Sequence, residues 1–91
     1  MSQDRSETVA RLRERLAVLQ PLQLDIVDDS HRHAGHAGAR EGGHFQVHIV
    51  SAAFAGKNTV ARHRLVYEAA GDLMRKGIHA LAIHARTPDE V

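Results

Sequence analysis

Apolar residues in this chain recur with two different periods, and the order of those periods restricts the layers it can build. From Asp4 to about Leu19, the residues Val9, Leu12, Leu16 and Leu19 follow spacings of three, four and three, which lines them along one stripe of a helix. Asp4 with Glu7 three residues later resembles a capping box, and Pro21 ends the run. Leu22, Leu24 and Ile26 then alternate with Gln23, Asp25 and Val27, and Phe45, Val47 and Ile49 alternate around Gln46 and His48. Both runs have the period of a strand with one buried face. A second helix is predicted from an Asn58 N-cap to Lys76, with Gly77 just past its end. Its apolar stripe is Val66, Tyr67, Ala70, Leu73 and Met74. Ile78 to Ala85, IHALAIHA, reads as a third strand, and Thr87 to Val91 as a further helical turn.

The predicted order is therefore α-β-β-α-β, an α+β fold. Two amphipathic helices and three half-polar strands bury their apolar faces as two layers, a three-stranded mixed sheet with both helices on one face. The second helix supplies the crossover that lets the third strand pair in parallel with an earlier one. Ninety-one residues, 43% of them hydrophobic, suit one core rather than two, so a single domain is expected over residues 1–91, with 1–3 disordered.

Between the first two strands lies Asp28 to Gly43, broken by Gly35, Gly38, Gly42 and Gly43. It is too long for a tight hairpin, and residues 29–43 are expected to form a mobile, functional loop. Four of the eight histidines, His31, His33, His36 and His44, fall in this segment or directly after it. The chain has no cysteine, which excludes disulfides, thiol catalysis and any self-contained thiolate metal site. A net charge of only +1 provides no strong field toward nucleic acid or acidic lipid. The charged segment from Met1 to Arg15 lacks the apolar core of an export signal, and no stretch approaches the roughly 20 apolar residues of a membrane span. A cytoplasmic location without membrane association is expected. There is no Ser-His-Asp motif context and no phosphate-binding loop, so an enzyme is the class least supported.

Four stretches then carry a specific resemblance: DDSHRHAGHAG at 28–38, HFQVHIVSAAF at 44–54, RHRLVYEA at 62–69 and GIHALAIHARTP at 77–88. In this order and spacing they resemble the BolA family. The resemblance implies a fold similar to a type II KH domain and a non-enzymatic role, as partner of a monothiol glutaredoxin with which a [2Fe-2S] cluster is shared. The glutaredoxin brings one cysteine and a glutathione thiol. No cofactor is expected tightly bound in the isolated chain, which is expected to be a monomer or weak dimer. Imidazole suits this task, since two imidazoles can replace two thiolates on one iron of a [2Fe-2S] centre.

The resemblance assigns His79 to the cluster ligand and His33 to the loop position that supplies the second, with His44 as its main rival and His36 as third choice. For His79 the alternation points the other way: it shares phase with Leu81 and Ile83, so a buried histidine bonded to backbone stays open. The loop histidines also leave open a solvated loop, or independent binding of Zn²⁺, Cu²⁺ or Ni²⁺. His48 and His84 fall on the polar phase of their strands and read as exposed sheet residues.

A second function implied by the resemblance is DNA-binding transcriptional regulation through the KH-like fold, with Lys57, Arg62, His63 and Arg64 as a basic partner or nucleic-acid surface. Only three of these four are permanently charged, against the several neutralised phosphates that non-specific binding draws on. The one GXXG match, Gly35 to Gly38, lies between strands rather than between helices. Stacking platforms are few, with aromatic residues at 3%.

Overall fold

The computed structural model describes residues 5–29 and 43–91. Its first helix, α1, spans Arg5–Leu16 and buries Leu12 and Leu16 completely, with Val9 packed beside them. The predicted extension to Leu19 is present, but as a 3-10 turn over Ala17–Leu19. Gln20 takes a left-handed conformation (φ 51°) and donates its N–H to the Ala17 carbonyl, so the chain turns away before Pro21. Asp4, the first residue of the expected capping box, lies outside the described residues, as do residues 1–3. Glu7 pairs with Arg11 one turn on, at 3.0 Å.

Three strands form one mixed sheet in the order β1-β2-β3. Strand β1 (Gln23–Asp28) is antiparallel to β2 (Gly43–Val50), and β2 is parallel to β3 (Ile78–Arg86). The central strand buries Phe45, Val47 and Ile49 on its inner face, as its alternation predicts. Leu22 differs from expectation: it precedes β1 and is 72% exposed, so the inner face of that edge strand is carried by Leu24 and Ile26.

The expected single helix over 58–76 is two. Asn58 is its N-cap, Oδ1 accepting from the Ala61 N–H at 2.9 Å, and α2 spans Thr59–Ala70. Gly71 then adopts φ 60°, ψ −132°, a conformation that L side chains rarely adopt, and a short helix α3 (Leu73–Lys76) follows. Arg15 of α1 ties the two helices at this break, donating to the Ala70 carbonyl at 3.2 Å and pairing with Asp72 at 3.0 Å. The Arg15 guanidinium beside Asp72 holds its carboxyl below the usual range, with Lys76 adding to the effect. The core forms where Leu12, Leu16, Val66, Ala70 and Leu73 of the helices meet Phe45, Val47, Ile49, Ile78 and Ile83 of the sheet, all on one face.

The turns around this core are pinned by buried polar groups. Ser51, 1% exposed, donates its hydroxyl to the Leu19 carbonyl at 2.6 Å and accepts from the Ala53 N–H at 3.0 Å. It thereby joins the end of β2 to the turn after α1, and starts the 3-10 turn Ala52–Phe54 that plugs Phe54 fully into the core. The expected C-terminal turn is a 3-10 turn over Pro88–Glu90 with a capping box between Thr87 and Glu90. Arg62 of α2 grips Glu90 through two hydrogen bonds, 2.7 and 2.9 Å, and also donates to the carbonyls of Ala85 and Lys57. This fork, together with the Thr87 N–H, pulls the Glu90 carboxyl from 4.5 down to about 2.

Two predictions follow from these contacts. Phe54→Ala is expected to lower unfolding free energy by about 3–5 kcal/mol, measured by urea denaturation, because it empties a fully buried aromatic site. The Glu90 contribution, from a carboxyl with lowered folded-state pKa, is complete above 4.5 and lost as pH falls toward about 2. Glu90→Gln should therefore lower the melting temperature at neutral pH and flatten its fall over that acid range.

Candidate functional site

Among the described residues no helix covers the outer face of the sheet, and that face collects the sheet histidines. Strand alternation alone would not send His79 there. In β3 the inward residues are Ile78, Leu81, Ile83 and Ala85, and the step of three from Ile78 to Leu81 breaks the period of two. The register states the cause: Gly43 pairs with Ile78, but its neighbour His44 pairs with Ala80. His79 is the extra residue of a β-bulge, without a register partner, and the bulge re-aims it. It is exposed; the buried-histidine alternative suggested by phase is overturned by this one inserted residue.

His44 is half-buried on the outer face of β2, and the bulge brings its ring to 5.0 Å from that of His79, centroid to centroid, with the planes at 47°. Two aromatic nitrogen bases thus stand side by side at the rim of the sheet. The same rim anchors both ends of the segment between β1 and β2. The Asp29 N–H donates to the His44 carbonyl at 2.7 Å, the Gly43 N–H to the Gly77 carbonyl at 3.1 Å, and the Gln46 amide to the Asp29 carboxylate at 2.6 Å. His31, His33 and His36 lie outside the described residues. Among the described residues, no three His, Asp or Glu side chains converge as a metal-binding group.

The basic set is divided by the fold. Lys57 and Arg64 are exposed, and His63 is half-buried in a groove of about 200 Å³ between α2 and β3, lined also by Thr59, Arg62, Ile83 and His84. Arg62 is committed to Glu90 and two carbonyls, so its charge is spent inside the chain. No helix among the described residues is long and apolar enough to cross a membrane.

The sequence reading missed a second contact. His48 and His84 are register partners on adjacent strands, and their rings stack 4.4 Å apart with planes only 8° from parallel. The signal was present in the spacing. His44 and His48 are four residues apart and His79 and His84 five; both pairs can meet across parallel strands only if β3 holds one extra residue between them.

Comparison with known proteins agrees with this architecture. The family model for BolA-like protein matches residues 16–90. The chain is 47% identical over 88 residues to SufE-like protein 1, chloroplastic/mitochondrial, of Arabidopsis thaliana, and 46% identical over 86 residues to its Protein BOLA1, chloroplastic, 89% of the chain being covered in each case. It spans only 24% and 54% of those two relatives. It is 40% identical to the DNA-binding transcriptional regulator BolA of Escherichia coli, covering 88% of the chain and 75% of that protein. The solved BolA domain of SufE1 from Arabidopsis thaliana superposes with a TM-score of 0.81 at 46% identity, over 100% of both chains. With the mixed sheet, the helices packed on its inner face and the family model matched over residues 16–90, this chain belongs to the BolA-like protein family.

Proposed function

We propose that the chain is a non-enzymatic partner of a monothiol glutaredoxin, to which it supplies two histidines for a shared [2Fe-2S] cluster used in cluster trafficking or iron regulation. The observation that carries this reading is the His44–His79 pair, two ring bases 5.0 Å apart at an open rim. Neutral imidazole ligates iron and can replace two thiolates on one iron of such a cluster. A chain with no cysteine can offer only this kind of ligand set, and the thiolates come from the partner and from glutathione. The cluster is the cargo. His79 binds it from a strand braced on both sides of the bulge, and bulged backbone leaves its ring clear of the ladder.

The geometry of the described residues favours His44 as the second ligand. The competing assignment is His33, which the family resemblance puts in the loop. His36 is the third candidate. Lys57, just before α2, and Arg64, on it, are exposed cations available for docking.

A second reading, DNA binding, is favoured by the name of the Escherichia coli relative and by the same exposed cations. Arg62, pinned by Glu90, subtracts from it.

Reconstitution with a monothiol glutaredoxin, glutathione, iron and sulfide separates these readings. The mixed complex should have a visible absorption and circular-dichroism spectrum distinct from the glutaredoxin homodimer, and His79→Ala should abolish that difference or shorten cluster lifetime by ~10-fold or more. An unchanged spectrum and lifetime would remove His79 from the ligand set. His44→Ala should do likewise and His33→Ala should not; the reverse outcome would move the second ligand to the loop. A salt titration on promoter DNA is expected to give weak binding that fades uniformly with salt. Sequence-selective binding near physiological salt would instead favour the DNA reading.

A further inference from the structure

Beyond the rim that would meet the cluster, the outer sheet face holds the stacked His48–His84 pair, which the proposed function does not use. It lies four residues along β2 from His44, about 13 Å away at the rise of a strand. Both side chains are exposed, and they project from register partners of adjacent parallel strands, so the backbone fixes their separation. The rings are 4.4 Å apart and within 8° of parallel.

We infer that His48 and His84 form a second metal site, a cross-strand bis-imidazole clamp for a borderline divalent transition ion such as Zn²⁺ or Cu²⁺. Two nitrogens that share a tetrahedral Zn²⁺ at about 2.0–2.1 Å stand ~3.3 Å apart. The rings, now 4.4 Å apart between centroids and nearly parallel, must turn about their Cβ–ring bonds until both planes meet at the ion, a rotation for which two exposed side chains on fixed neighbouring strands have room. Imidazole is the ligand type that suits Zn²⁺, Cu²⁺ and Ni²⁺ and not Mg²⁺ or Ca²⁺. The pair borders a depression of about 220 Å³ also lined by Gln23, Asp25 and Arg86. Asp25 is the register partner of His48 on its other side, so a carboxylate stands in the same rung and offsets the Arg86 charge. Water completes the coordination, since among the described residues no third His, Asp or Glu joins the group. That makes the site a reversible one, open to exchange, and independent of any glutaredoxin.

The test is a Zn²⁺ titration of the isolated chain followed by imidazole-ring ¹⁵N–¹H spectra, with no glutaredoxin present, so that it stands or falls apart from cluster sharing. The His48 and His84 ring nitrogens should shift together with one common midpoint. In His84→Gln, with an otherwise unchanged amide spectrum, the His48 response should move to higher Zn²⁺ by on the order of tenfold or more, since even outer-shell partners of metal ligands are worth that much. The proposal is overturned if His48 and His84 stay unshifted while other histidines respond, or if the His48 midpoint is the same in His84→Gln.

Discussion

One inserted residue decides which face of the sheet receives His79. In a parallel pair, side chains of register partners share a face, so a regular β3 that buried Ile83 would also bury His79. The bulge between Ile78 and Ala80 lets the strand keep both Ile78 and Ile83 in the core while His79 points to solvent. Removing it would either turn the His79 imidazole toward the core or pull Ile78 out. The helix break at Gly71 and the short α3 serve the same end of the sheet: they deliver the chain to Gly77, whose carbonyl accepts from Gly43 beside the bulge.

The two faces of the sheet divide the labour. The inner face is held by apolar packing, with Ser51 and Thr87 as the buried polar residues, both in turns at the sheet's end. On the outer face, which no helix among the described residues covers, His44, His48, His79 and His84 meet in two pairs. The same division explains why Arg62, which the sequence presents as a surface cation, works as a clamp: it sits where α2 crosses the end of β3 and finds Glu90 and two carbonyls within reach.

Much of this was legible in the sequence, for physical reasons. The period-two run of β2 and the helical stripes of α1 and α2 report burial directly, and the α-β-β-α-β order leaves few ways to cover one sheet face. What period cannot report is a local departure from it. The bulge was hidden in IHALAIHA because every position there is plausible in a regular strand. Gly71 looked tolerable inside a helix, where glycine costs only about 1 kcal/mol. Arg62 drew its role from a residue 28 positions away, and the His48–His84 contact needed the register. The family resemblance, by contrast, pointed to His79 against the phase, and the residue is exposed.

The central claim is that a histidine of this chain binds iron of a shared cluster. It is tested most directly by pulsed EPR of the reduced complex formed between ¹⁵N-histidine-labelled chain and unlabelled glutaredoxin. The account predicts strongly coupled ¹⁵N from imidazole, and its reduction when His79 is replaced by alanine. A reduced cluster in that complex without strongly coupled histidine nitrogen would contradict it.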